Sequence, residues 1–265
     1  MPGTDQEQVP HPFPRTALLG FGAFGRLAAT HLAGHTDLAV IDPTASEADV
    51  RASGARPGTI EADVPQADLV ILAVPVQAIE TACRAIASHL RTSSDRPPLV
   101  VDVASVKMKP AEWMSALLPE RCQILATHPC FGPETARELG TIASQPIACC
   151  PVRIDDETLA AVRTFLTTTL GLSVIDLTPD EHDEQMALVQ VITHLIGHAA
   201  HHMSLPELPT ATLAYRYLLQ MQHNTERDAP RLFEAIQHLN PHAAKARERF
   251  RQAIDAVLAK AEPTQ

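Results

Sequence analysis

Seven short apolar runs alternate with helical patterns between Thr16 and Leu177, and this alternation leaves the chain few folds to choose from. The runs are Ala17–Gly20, Leu38–Asp42, Leu69–Val74, Leu99–Val103, Gln123–Thr127, Ile147–Cys150 and Leu172–Asp176. Several are continuously apolar, as expected of strands covered on both faces of a parallel sheet. Helical patterns lie between them at Arg26–Leu32, Val76–Leu90, Pro110–Leu118 and Glu157–Thr169. The sequence therefore predicts an α/β domain with a doubly wound parallel sheet over residues 15–178. Ligands of such sheets bind beyond the carboxyl ends of the strands, so residues just after strands are the ones to search.

The first run enters Gly20-Phe21-Gly22-Ala23-Phe24-Gly25, spaced G-x-G-x-x-G, and a helix leaves it. Gly20 allows the tight turn, Gly22 a close backbone approach, and Gly25 the packing of helix on strand. The helix N-terminus then faces a pyrophosphate with unpaired N–H groups and a partial positive charge. An acidic residue should close the second strand and hold the adenosine ribose, and Asp42 stands there. The combination reads as a Rossmann dinucleotide-binding unit. Asp42 favours NAD over NADP because a carboxylate repels a 2′-phosphate. No Lys or Arg between Pro43 and Val50 offsets it.

After Leu177 the pattern changes. Thr178-Pro179-Asp180-Glu181 reads as a capping box with proline in the first helical position. Helical segments follow at Glu181–Met203, Thr210–His223, Pro230–Leu239 and Pro241–Ala261, the last announced by Asn240. An all-helical second domain over 179–265 is expected. Its length is short for a substantial core of its own. Packing on the first domain or on a second copy would solve that, so a homodimer through these helices is expected.

The formal net charge of −10 disfavours nucleic acid and anionic membranes as partners, and obliges an anionic substrate to find a local cation. No apolar stretch approaches the ~18 residues of a membrane helix. Residues 1–14, polar and with prolines at 2, 10, 12 and 14, read as a mobile tail without a signal peptide. The five cysteines show no C-x-x-C spacing and read as buried reduced thiols of a cytoplasmic protein, Cys149 and Cys150 as strand packing.

Three strand ends carry candidate chemistry. Ala73-Val74-Pro75 would wall a nicotinamide, although ordinary strand-to-helix punctuation reads equally well. Ser105 and Lys107 follow the fourth run, Ser105 at the catalytic edge or as a helix cap, Lys107 opening the next helix. His128 lies just past the fifth run, fixed by Pro129, where an imidazole can serve as an acid–base group.

Asp102-Val-Ala-Ser-Val-Lys107, His128-Pro-Cys-Phe-Gly-Pro133 and Glu181-His-Asp-Glu-Gln-Met-Ala187 with Gln190 and His194 together resemble the prephenate dehydrogenase family. The likeness is greatest to the form fused to chorismate mutase and runs from the glycine turn to about Ile236. The chain differs in starting at the nucleotide domain, without a mutase helix, and in having no room for a C-terminal regulatory domain. The resemblance implies NAD-dependent oxidative decarboxylation of prephenate to 4-hydroxyphenylpyruvate. It implies His128 as the catalytic histidine on the ring hydroxyl and Ser105 as the serine orienting it. It further implies Arg216 as the carboxylate-binding arginine, with His194 and Gln190 lining the pocket. Elementary chemistry agrees. Loss of hydride acidifies the ring hydroxyl, a neutral imidazole accepts its proton, and a guanidinium clamps a carboxylate.

Arogenate and 4-amino-4-deoxyprephenate share the ring, hydride and carboxylates, so the motifs do not separate these substrates. A reductase of the hydroxyacid or imine type would place a lysine or aspartate on the first long helix of the second domain, where this chain offers Gln190 and His194. A catalytically silent NAD-binding sensor is the reading from another class. His194, His198, His201 and His202 share helical spacing, yet no carboxylate or cysteine in the same run completes a metal set, and no metal is expected.

Overall fold

In the computed structural model the described residues are 12–90, 97–227 and 231–261. They form two compact units divided between Pro179 and Asp180. The first begins β1 (Arg15–Leu19), α1 (Ala23–Leu32), β2 (Asp37–Ile41), α2 (Glu47–Ala52), β3 (Arg56–Pro57), α3 (Ile60–Asp63) and β4 (Leu69–Leu72). It continues α4 (Ile79–Ala87), β5 (Leu99–Asp102), α5 (Met108–Leu117), β6 (Gln123–Pro129), α6 (Pro133–Leu139), β7 (Pro146–Arg153), α7 (Asp156–Thr164) and β8 (Ser173–Asp176).

The strands make one eight-stranded sheet in the order β3-β2-β1-β4-β5-β6-β7-β8. The direction of winding reverses at β1, which pairs in parallel with both β2 and β4. Strands β4 and β5 and all of β6 are buried along their whole lengths, as strands covered on both faces are, including the polar Asp102, Gln123, Thr127 and His128. This is the doubly wound fold expected, with one change of direction. β7 runs antiparallel to β6, pairing His128 with Ala148 and Pro129 with Ile147. A parallel neighbour needs a crossover that returns along the sheet. The seven residues of α6 rise about 10 Å, against about 23 Å for the seven of β6, so the connection stays at one edge.

That pairing also corrects the reading of His128. β6 extends to Pro129 because β7 supplies partners there, so His128 lies inside the strand rather than past it. β3 went unread because two residues ending in Pro57 carry no apolar run. The helix expected at Glu157–Thr169 is α7 followed by a π-helical turn at Phe165–Thr169. Most of the tail lies outside the described residues. Phe13, however, is buried, and its carbonyl accepts from Thr36 Oγ1 at 2.8 Å.

The second unit contains α8 (Pro179–Met186, whose first residue precedes the division), α9 (Ile192–His202), α10 (Leu213–Glu226), α11 (Leu232–Leu239) and α12 (Ala243–Ala261). The single helix expected at Glu181–Met203 is broken by a π-helical turn at Ala187–Val191. Pro230, the expected start of α11, lies outside the described residues. A small core of Ala187, Val191, Ile236, Ala243 and Ala246 is reinforced by buried amides. Gln237 Nε2 donates to the Val191 carbonyl at 3.0 Å. Asn240 Nδ2 donates to the Asp183 carbonyl at 2.7 Å, and its Oδ1 accepts from His242 N at 2.8 Å. Asn240→Ala would strip both bonds from a buried site. We expect it to lower unfolding free energy by about 2 kcal/mol. Urea denaturation followed by circular dichroism reads this as a lower midpoint, and an unchanged midpoint would contradict the packing described.

Candidate functional site

The glycine turn is built as its spacing demands. Gly20 has φ +98°, and a Cβ there would stand 2.5 Å from the Ala73 carbonyl oxygen. A Cβ on Gly25 would collide with the carbonyl of Gly20, so helix α1 can seat on the strand end only without one. At Gly22 a Cβ would meet nothing within 4 Å, which leaves an open cradle over the first turn of α1. Ala23 and Phe24 provide that turn, and the Phe24 ring lies 6.4 Å from the ring of Phe131. Phe21 is committed elsewhere. Its ring is buried beneath the Arg26 guanidinium, 4.5 Å away, and its N–H donates to Asp42 Oδ2 at 2.7 Å.

Asp42 follows the last residue of β2, on the same edge. Its Oδ1 accepts from Thr44 N at 2.8 Å and Thr44 Oγ1 at 2.7 Å. Burial works to raise this carboxyl, but the hydrogen bonds from Phe21, Thr44 and Ala45 outweigh it, and it ionises below the ordinary carboxylate range. Asp42 is thus a fixed anion, and Thr44 is a partner that sequence reasoning passed over. Ala73, Val74 and Pro75 lie beyond the end of β4, the first two half-buried and the third exposed.

His128 is 4% exposed, with Cys130 Sγ 3.9 Å from its Nδ1. Cys130 is exposed, which departs from the expectation that every cysteine is buried. It sits past the strand end, where no alternation signal decides its direction. The other four are buried, and burial pushes Cys83 and Cys149 up to about 12. Ser105 is half-buried three residues past β5, and the structure places no hydrogen bond between it and His128. The cap position of α5 falls on Lys107 rather than Ser105. Lys107 itself is buried with Asp102, as an ion pair. Sequence reasoning assigned it only a helix start. Its one sequence signal is a cation placed five residues after an aspartate in otherwise apolar surroundings.

In the second unit Gln190 lies in the π-helical turn and His194 in the first turn of α9, both half-buried. Arg216 is exposed on α10; its N–H donates to the Thr212 carbonyl at 3.0 Å, while its guanidinium has no hydrogen-bond or ion-pair partner among the described residues. The remaining α9 histidines have structural neighbours. The His198 ring lies 4.1 Å from that of Phe233 at a 52° tilt, and His201 Nδ1 lies 2.9 Å from Glu226 Oε1. Among the described residues no group of three or more His, Cys, Asp or Glu is assembled to hold a metal ion. No helix among them is long and apolar enough to cross a membrane.

A doubly wound sheet, a glycine turn and an acid at the second strand end define a dinucleotide-binding fold. Residues 41–175 match the nucleotide-binding domain of prephenate dehydrogenase, and residues 199–262 match the TYRAAT1-like C-terminal domain. The chain is 30% identical over 253 residues to arogenate dehydrogenase 2 of Arabidopsis thaliana, covering 92% of this chain and 68% of that protein. It spans only 38% of a second Arabidopsis relative, arogenate dehydrogenase 1. Among solved structures, Synechocystis arogenate dehydrogenase superposes with TM-score 0.69 at 22% identity, covering 92% of this chain and 91% of that one. Prephenate dehydrogenase from A. aeolicus, in complex with hydroxyphenyl propionate and NAD+, superposes with TM-score 0.73 at 20% identity, covering 93% and 91%. The chain belongs to the prephenate dehydrogenase family.

The two turn glycines should behave differently when substituted. Gly22→Ala meets no atom, so its urea midpoint should stay with the parent while dinucleotide affinity, read by calorimetric titration, falls at least about tenfold. Gly20→Ala should lose stability as well, by about 1–3 kcal/mol, because its φ is positive and its Cβ has no room.

Proposed function

We propose that this protein converts prephenate to 4-hydroxyphenylpyruvate with loss of carbon dioxide. The observation carrying this reading is a buried histidine at the carboxyl end of β6, within His128-Pro-Cys-Phe-Gly-Pro133, in a nucleotide-binding unit of this family. The cofactor is NAD. The open cradle at Gly22 and the fixed anion at Asp42 suit a dinucleotide whose ribose keeps its 2′-hydroxyl. When bound, its nicotinamide accepts a hydride from the ring carbon that bears the hydroxyl.

His128 accepts the hydroxyl proton as that oxygen gains carbonyl character, and so must be neutral to act. Ser105 places its hydroxyl toward the same substrate oxygen. Release of carbon dioxide then makes the ring aromatic, so decarboxylation asks little of the protein. Arg216 supplies the carboxylate clamp in an acidic chain, and its uncommitted guanidinium supports that role. Gln190 and His194 complete the substrate contacts. Arogenate is the second reading, favoured by relatives named arogenate dehydrogenases. Five free cysteines suit a reducing compartment such as the cytoplasm. Leu213 and Tyr217 on α10, and Ile254, Val257 and Leu258 on α12, are exposed apolar side chains that a second copy would cover. Sedimentation should give a dimer at micromolar concentration, and a monomer would remove that part of the proposal.

The deciding assay follows reduced nicotinamide by its absorbance with prephenate, arogenate and 4-amino-4-deoxyprephenate in turn. Prephenate turnover is expected, and preference for either amino compound reassigns the substrate. Dinucleotide binding without turnover on any substrate would leave a sensor. His128→Asn should lower kcat about 10²–10⁴-fold with little change in KM. Arg216→Gln should chiefly raise KM, by roughly 10–100-fold.

A further inference from the structure

β5 stops at Asp102, which pairs with Ala126, whereas β6 continues to Pro129. On that side the peptide groups around Thr127 and His128 lie past the end of the neighbouring strand, and side chains take its place. Thr127 Oγ1 donates to the Asp102 carbonyl at 2.7 Å. The Lys107 ammonium donates to the Thr127 carbonyl and to Asp102 Oδ2. Ala104 N donates to the same Oδ2 at 2.9 Å. Both charged side chains are 0% exposed. Neutral groups could tie two strands together without the desolvation that a full ion pair demands, so the charges themselves call for an explanation.

We propose that Lys107 is a positioning residue: it holds the peptide joining Thr127 to His128, and with Asp102 it forms a buried dipole whose positive end faces the strand of His128. This rests on His128 acting as the proton acceptor. A positive end there disfavours imidazolium and keeps the acceptor in its working form.

The thiols around the pair sense its direction. Cys130, just past β6, is raised by burial and lowered by the Ala148 backbone and then by the charge of Lys107, and Cys149, within β7, is raised by burial and Asp176 and lowered by Arg163 and then by Lys107. Cys83 on α4 is raised by burial and raised further by Asp102. Near His128 stand Cys130, with Sγ 3.9 Å from its Nδ1, Cys149 and Cys150, opposite Thr127 and Ala126 in the register with β7, and the Asp102–Lys107 pair bonded to the Thr127 carbonyl. The α5 pair Lys109–Glu112 is solvent-exposed and self-neutralised at 2.7 Å.

The test uses the whole enzyme with NAD and its preferred substrate. Two variants remove the charge at position 107: Lys107→Gln, and Lys107→Met combined with Asp102→Asn so that no carboxylate is stranded. Lys107→Arg retains the charge. In whichever charge-free variant keeps the parental circular dichroism and dinucleotide affinity, kcat should fall at least about tenfold. The acid limb of its kcat–pH profile should move up by about one pH unit, while Lys107→Arg keeps the parental limb. A folded charge-free variant with parental kcat and acid limb overturns the inference. So does one that loses kcat with the limb unmoved, which would make the pair a tie between strands only. Full turnover in His128→Asn would instead remove the underlying reading of the reaction. An inactive His128→Asn beside parental Lys107 variants removes this inference alone.

Discussion

Every strand of a parallel sheet must stop somewhere, and its last carbonyl then faces a neighbour that has also stopped. In this chain that constraint is met by one row of hydrogen bonds along the carboxyl edge. Gly20 N donates to the Ile41 carbonyl, Ala73 N to Leu19, and Val103 N to Leu72. Thr127 Oγ1 donates to Asp102, and Lys107 to Thr127. The row passes from β2 through β1, β4 and β5 to β6. Each candidate for dinucleotide or acid–base chemistry in the first unit lies on it or within a few residues of it. Strand ends are where backbone polar groups would otherwise go unmet. The groups that satisfy them are also those available to a ligand.

The two ends of the row are electrostatically unlike. At β2 a partly buried carboxylate is fixed by four donors and carries no counter-cation in that set. At β5 and β6 a buried carboxylate is matched by a buried ammonium. The first arrangement suits neutral hydroxyls, which can donate to it, and repels phosphate. The second places no net charge beneath His128. A further negative charge there would add to the field of an already acidic chain, and Arg216, the group proposed for the substrate carboxylates, belongs to the other unit.

Sequence reached the sheet because buried parallel strands are continuously apolar, and it reached the glycine turn because G-x-G-x-x-G carries steric meaning at each glycine. It misplaced what depends on partners. His128 sits within β6 only because β7 runs back beside it, and strand direction is not a property of apolar content. The π-helical turns at Phe165–Thr169 and Ala187–Val191 insert a residue without a composition signal. Lys107 read as a helix start because a buried cation is legible only with its anion and its carbonyl in view. Arg216, His194 and Gln190 are candidates through the family resemblance alone, since an arginine or histidine on a helix has no periodicity of its own.

The reversal at β7 has one further consequence. A parallel strand would send the chain from β6 across the sheet and back, so any change in that connection would disturb the packing of a helix on the core. Here residues 130–145 leave β6 at the carboxyl edge and re-enter the sheet at the same edge. The segment is closed at its base by Cys130 N donating to the Pro146 carbonyl at 2.9 Å, and its Ala136 and Ile142 are buried with Ile147 and Leu172, against Leu27. Its buried positions are fixed by that core, whereas its exposed stretch from Arg137 to Thr141 can vary while the sheet keeps its register.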